Sequence, residues 1–272
     1  MSVRGMIGSL LVAMTVAGTS VSAGEFVGIV SGTTAEPVQV VGYMARPPGT
    51  GPFPAVVLLH GCGGFHSSMI SWADRLSRFG YAALAVDSFG PRGFDEHCSG
   101  GFPEQMADGY AALRYLATRP FVRASHVALM GFSQGGLSVL DSLEKGKVEQ
   151  RYAEKFRAGI AFYPICQYAS GITTVPVLVL TGAADSWTPA YHCEAMAAGR
   201  TEFGAPRPPG PRPSIELVVY PGAHHGFDLV ELSVNPTRGV TAYGHRVEYN
   251  EEAMRNAVVR VRVFLQRTIG EP

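Results

Sequence analysis

The stretch Leu129-Met130-Gly131-Phe132-Ser133-Gln134-Gly135-Gly136 constrains this chain most. An apolar run, Val127 to Met130, leads into Gly-x-Ser-x-Gly, and a helix-compatible segment from Leu137 to Leu143 follows. A serine placed this way sits on a sharp turn from strand to helix, with its hydroxyl pushed up at the end of a sheet. Glycine is required on both sides because the turn is strained and neighbouring backbones pass close to it. The plainer alternative is a serine that only caps the following helix. What separates the two is whether the chain also supplies a base, an acid that orients the base, and donors for a developing oxyanion.

A chain of 272 residues is long enough to bury a substantial core. Its formal net charge is zero and it has no basic stripe, which argues against nucleic-acid or anionic-membrane partners held by bulk electrostatics. The first residues form their own pattern. Met1 to Arg4 is positively charged, Met6 to Ala17 is apolar, and Val21-Ser22-Ala23 reads as a small-residue cleavage site. The alternative is an uncleaved anchor, but the apolar stretch is broken by Gly8, Ser9 and Thr15 and is short for a span of about 20 residues. The expectation is a signal peptide over residues 1–23, an exported mature chain over 24–272, and no membrane association after cleavage. Export places the four cysteines in an oxidising compartment, where an even number suggests disulfides with three pairings open. No Cys-x-x-Cys occurs, so no metal site is expected.

Along the mature chain, apolar runs alternate with amphipathic segments. Strands are expected over Pro37–Ala45, Ala55–Leu59, Tyr81–Val86, Val127–Met130, Gly159–Phe162, Val175–Leu180 and Ile215–Tyr220. Helices are expected over Ser67–Phe79, from Pro103 to about Arg119, after Ser133, over Thr188–Arg200, and from about Asn250 to Arg267. A proline-rich loop runs from Ala205 to Pro213. Continuous apolar strands such as Ala55–Leu59 belong in a sheet covered on both faces. The alternation implies an α/β class, a mostly parallel sheet with helices on both faces, folded as one domain.

In such a sheet, functional groups gather just beyond the carboxyl ends of the strands. Four of those ends carry polar, glycine-flanked segments: His60 to Gly64, Ser133 to Gly136, Asp185, and His224 to Phe227. The order Ser133, then Asp185, then histidine is the order a strand-to-helix serine needs. Asp185 could instead be a turn carboxylate, and Asp87 also ends a strand but precedes the serine.

With these segments in hand, the chain resembles the dienelactone hydrolase family of the α/β-hydrolase fold over nearly all of its mature length. The segments that carry the likeness are Leu58-Leu59-His60-Gly61-Cys62-Gly63-Gly64, Gly131-Phe132-Ser133-Gln134-Gly135-Gly136, Asp185-Ser186-Trp187-Thr188-Pro189 and His225-Gly226-Phe227. The founding members of that family use cysteine where this chain has Ser133, and carry a glutamate in the segment that here reads His60-Gly61-Cys62. Their thiol activation and their dienelactone substrate therefore do not carry over. The resemblance implies a cofactor-free serine hydrolase acting on a small-molecule carboxylic ester, with Ser133 as nucleophile, His225 as base and Asp185 as orienting acid. It favours His225 over the adjacent His224 because His225 directly precedes Gly-Phe. The expected oxyanion donors are the N–H groups of Gln134 and Cys62. Arg92 stands where relatives can place an arginine near substrate, or it is a solvated loop residue. Trp187 and Phe227 either line a pocket or pack the loops that carry them. Cys62 and Cys98 follow strands expected to be neighbours, as do Cys166 and Cys193, which suggests disulfides Cys62–Cys98 and Cys166–Cys193. Two rival functions stand beside the esterase: a peptidase or polymer-deacylating hydrolase on the same fold, and a catalytically silent binding protein.

Overall fold

The computed structural model describes residues 24–32, 36–100, 102, 104–200, 215–234 and 239–272. The expected signal peptide, Pro103 and the proline-rich loop from Ala205 to Pro213 lie outside the described residues. Eight strands form the main sheet: β1 (Glu25–Gly32), β2 (Pro37–Ala45), β3 (Phe53–Leu59), β4 (Ala82–Asp87), β5 (Val122–Phe132), β6 (Ala158–Phe162), β7 (Val177–Gly182) and β8 (Ile215–Tyr220). Their spatial order is β1-β2-β4-β3-β5-β6-β7-β8. Pairing is antiparallel from β1 to β2 and from β2 to β4, and parallel everywhere else. Among the described residues, α1 (Ser67–Arg78), α2 (Glu104–Ala117), α3 (Gln134–Leu143) and α4 (Ala190–Ala197) lie between these strands and α5 (Glu251–Ile269) follows them. A two-stranded hairpin, β9 (Gly239–Ala242) and β10 (His245–Glu248), sits apart from the main sheet.

Strands β3 and β6 are apolar at every position because both faces are covered. Along β3, Val56 and Leu58 point to one side, where Met69, Trp72 and Leu76 of α1 and Val261, Phe264 and Leu265 of α5 pack against them. Ala55, Val57 and Leu59 point to the other, against Tyr110 and Leu113 of α2 and Val139 and Leu140 of α3. Each Val, Leu, Met or Phe side chain among them contributes about 1.5–3 kcal/mol relative to full exposure. The helix faces follow the same logic. Met69, Trp72, Ala73 and Leu76 recur at three- and four-residue spacing and are all buried.

Helix ends are set by local chemistry. Asn250 caps α5, its side-chain oxygen accepting the Ala253 N–H at 3.0 Å, and Glu251 and Glu252 complement the positive end of the helix dipole. Helix α4 is shorter than the periodicity suggests. Thr188 is drawn into hydrogen bonds with Asp185 and the Tyr163 carbonyl, Pro189 occupies the cap, and Gly199 at φ 68° follows the end. The segment Glu25–Gly32 forms an edge strand, β1, that periodicity did not single out; it alternates exposed Phe26 and Val30 with buried Ile29 and Ser31.

Candidate active site

Ser133 occupies the junction of β5 and α3 with φ 53° and ψ −113°. A non-glycine residue there is strained, at a cost on the order of 1–3 kcal/mol, and persists only when its surroundings dictate it. Here they do. The Ser133 N–H donates to the Phe162 carbonyl at 2.9 Å and its carbonyl accepts the Leu137 N–H at 3.0 Å. Two flanking glycines make the turn possible by close approach. A Cβ on Gly131 would lie 2.2 Å from the Gly135 oxygen, and one on Gly135 would lie 2.4 Å from the Leu59 oxygen. The serine is forced outward, at the carboxyl end of the central strands.

Two further strand ends bring partners to it. His225 follows β8, and its Nε2 lies 3.0 Å from the Ser133 Oγ. Asp185 follows β7, and its Oδ2 lies 2.8 Å from the His225 Nδ1. Asp185 is itself held on both oxygens. Oδ1 accepts the N–H groups of Trp187 at 2.8 Å and Thr188 at 2.9 Å, while the Thr188 hydroxyl lies 2.8 Å from Oδ2. Burial alone would raise the Asp185 carboxyl. The bonds from His225 and Thr188 more than offset that, and its pKa falls below the ordinary value.

The adjacent histidines are separated by geometry. His224 turns away, its Nε2 lying 3.6 Å from the Glu248 carboxylate. The backbone of His225 is clipped into place by β10, with its carbonyl accepting the Glu248 N–H at 3.0 Å. Asp87 is not part of this arrangement; its Oδ1 accepts the N–H groups of Phe89 and Gly90 and shapes the loop after β4.

The loop after β3 runs beside the serine. A Cβ on Gly61 would lie 3.4 Å from the Ser133 Cβ, and Cys62 lines the same cleft as Ser133. The loop is anchored from behind by His60, which is fully buried. Its Nδ1–H donates to the Gly61 carbonyl at 2.7 Å and its Nε2 accepts the Ser88 N–H at 3.1 Å, an assignment that requires the neutral ring. Burial lowers its pKa in the same sense. Gln134 is the first residue of α3, so its N–H has no partner within the helix and points out of the positive helix end. The structure joins Cys62 to Cys98 and Cys166 to Cys193, with Cα–Cα separations of 4.8 and 4.9 Å.

These elements surround a cleft of about 400 Å³. Trp187 lines it, its ring 4.9 Å from that of His225 and stacked on His245 of the hairpin. The hairpin roofs one side through Val240, Ala242, Tyr243 and Val247. Arg92 and Phe227 do not line the cleft. Arg92 is tied to the fully buried Asp108 by two bonds of 2.8 and 2.9 Å, and it also donates to the Ser88 carbonyl. Phe227 is completely buried against Phe162, Tyr163 and Tyr220, so it packs the histidine loop from beneath.

Sequence reasoning missed a supporting network. Tyr163 follows β6 at φ 37°, lines the cleft, and places its ring 4.6 Å from that of His225. Its hydroxyl donates to Asp228 at 2.6 Å, and the Trp72 indole donates to the other Asp228 oxygen at 2.8 Å. Burial pushes the Asp228 carboxyl up. The only local cue was an acidic residue directly after the His225-Gly226-Phe227 segment. Among the described residues, no group of three His, Cys, Asp or Glu side chains comes together to hold a metal ion.

Comparison with known proteins fits this geometry. A Bradyrhizobium protein named a probable 2-oxo-3-(5-oxofuran-2-ylidene)propanoate lactonase is 28% identical over 205 residues, covering 68% of this chain and 77% of the relative. Among solved structures, a dienelactone hydrolase-like promiscuous phosphotriesterase, P91, from metagenomic libraries superposes with a TM-score of 0.66 at 21% identity, covering 91% and 99% of the two chains. Esterase 2 of Thermogutta terrifontis, in a complex phosphorylated by paraoxon, gives 0.63 at 16% identity, covering 91% and 95%. The two solved structures share the fold. The model of the dienelactone hydrolase family matches residues 40–269, and the chain is a hydrolase belonging to that family.

Proposed function

We propose that this chain is an exported serine hydrolase that cleaves carboxylic esters, acting as one α/β-hydrolase domain over residues 24–272. The observation that carries the reading is the continuous relay from the Ser133 Oγ to His225 Nε2 at 3.0 Å and from His225 Nδ1 to Asp185 at 2.8 Å, opening into the cleft. Asp185, ionised and acceptor-only, keeps the proton of neutral His225 on Nδ1, which leaves Nε2 free to accept the serine proton. Ser133 then attacks the ester carbonyl. The tetrahedral oxygen is received by the backbone N–H groups of Gln134 and Cys62. The imidazolium returns its proton to the departing alcohol, and water repeats the sequence on the acyl-enzyme. No cofactor takes part in these steps.

The strained Ser133 backbone favours catalysis over a silent binding role, because strain of this kind accumulates at working sites. The hairpin roof favours small esters over peptides or polymers. Export is supported by the two disulfides, and no helix among the described residues is long and apolar enough to cross a membrane. Hydrolysis of a p-nitrophenyl ester by wild type, Ser133→Ala, His225→Ala and His224→Ala tests the assignment. The first two variants should lose about four to six orders of magnitude in kcat, as removal of triad members does. His224→Ala should retain activity, and the opposite pattern between the two histidines would reassign the base.

A further inference from the structure

The cleft differs in character between its walls and its mouth. Met69, Phe132, Leu229, Leu232, Val240 and Val247 give the space around Ser133 an apolar lining. Among the described residues, the lining side chains with a full formal charge are both carboxylates: Glu96, in the loop after β4, and Glu231, in the turn that follows the His225 segment. Both are exposed, which places them at the opening. Tyr243, in the turn of the hairpin, donates its hydroxyl to Glu96 at 2.7 Å and fixes that carboxylate beside the cleft. Arg92, the arginine that the family resemblance places near substrate, does not line the cleft; it is committed to Asp108 and its side chain is only 13% exposed.

We propose, building on the ester-hydrolase reading, that this site selects esters whose acyl and alcohol parts are uncharged and apolar, and turns away esters that carry a carboxylate. A carboxylate entering the cleft would shed hydration against apolar walls and meet like charge at the mouth. Discrimination of this kind needs no added attraction for the preferred substrate; an uncompensated charge on the rejected one is sufficient. The volume lies at the small end of the range for small-molecule sites, about 300–1,000 Å³, and admits a short acyl chain or a single ring. The selectivity separates this chain from its Bradyrhizobium relative, which is named for a propanoate lactone.

The test compares kcat/KM for p-nitrophenyl hydrogen adipate with that for its neutral methyl ester at pH 7.5, in wild type and in the Glu96→Gln/Glu231→Gln variant. Wild type should favour the neutral ester by at least about 100-fold, and the variant should narrow that ratio about tenfold. Raising ionic strength on the wild-type enzyme should lift turnover of the anionic ester selectively, because it screens the mouth without touching the neutral substrate. That arm holds even if the variant fails to fold. Labelling by a fluorophosphonate probe is run in parallel. Absence of both labelling and turnover overturns the ester-hydrolase reading and this inference with it. Labelling of Ser133 without a preference for the neutral ester, or a ratio indifferent to salt, overturns this inference alone.

Discussion

Replacing Asp185 by Asn isolates the electrostatic part of the site from its shape. The Asp185 Oδ1 accepts two backbone N–H groups, from Trp187 and Thr188, so the amide oxygen of an asparagine must take that position. The NH2 group then replaces Oδ2 and faces the His225 Nδ1 and the Thr188 hydroxyl. Both can accept, the latter by donating its own proton to the Tyr163 carbonyl 3.0 Å away. Every buried polar group stays paired, so the fold should survive with a stability change within about 2 kcal/mol. The chemistry should not survive. With Nδ1 accepting, the His225 proton moves to Nε2 and points at the Ser133 Oγ, which can no longer hand over its own proton. Loss of tautomer control in a Ser-His-Asp arrangement costs about 10⁴-fold in kcat, or about 5.5 kcal/mol at 1.36 kcal/mol per decade. The stability effect also has a signed pH dependence. Because the folded-state pKa of Asp185 is depressed, its contribution is complete above the ordinary carboxylate value near 4 and is lost as pH falls through the folded value. The gap between wild type and Asp185→Asn should therefore be widest near neutrality and close on acidification. Ester turnover with thermal unfolding from pH 3 to 8 reads both quantities. Activity within tenfold of wild type in a folded variant would refute the proposed relay.

Four further outcomes follow from the same geometry. Arg92→Ala should lower stability by about 3–5 kcal/mol in denaturant unfolding, because it leaves the Asp108 carboxylate buried without its cation and with the Ser31 hydroxyl as its remaining side-chain donor, while ester selectivity per folded molecule stays as in wild type. Cys98→Ser opens a loop with a sequence separation of 36 and should cost about 3–4 kcal/mol in unfolding; it should also reduce kcat more than Cys193→Ser does, because Cys62 carries a proposed oxyanion donor. Asp228→Ala leaves the Trp72 indole and the Tyr163 hydroxyl without their acceptor and should lower stability by about 2–5 kcal/mol, with a drop in kcat as Tyr163 loosens against His225. Gly131→Ala forces a Cβ against the Gly135 carbonyl and should abolish turnover through the elbow, visible as loss of fluorophosphonate labelling in whatever protein folds.

How much of this was legible in the sequence depended on burial. Strands β3 and β4 are closed in by helices on both faces, so their apolar runs read directly and their limits shift by only one or two residues. Strand β1 lies at the sheet edge, and its mixed exposure lacks that signal. The hairpin escaped notice because each strand has four residues and its two-residue turn places Tyr243, rather than the asparagine usual there, at φ 52° ahead of Gly244. Its consequences are large, since it roofs the cleft and clips the His225 loop. Ser133, Asp185 and His225 stood out because each sits in a glycine-flanked segment at a strand end. The settings of Arg92 and Phe227 stayed open in the sequence for a different reason. The partner of Arg92 is Asp108 on α2, and the burial of Phe227 comes from rings at the ends of β6 and β8, none of which local spacing reveals.

The central claim is that Ser133 is made nucleophilic by His225. Treating the folded protein with a fluorophosphonate and mapping the modified peptide by mass spectrometry tests it most directly. A single stoichiometric adduct on Ser133 is expected, abolished in His225→Ala and retained in His224→Ala. An unmodified Ser133, or an adduct on another residue with Ser133 untouched, would contradict it.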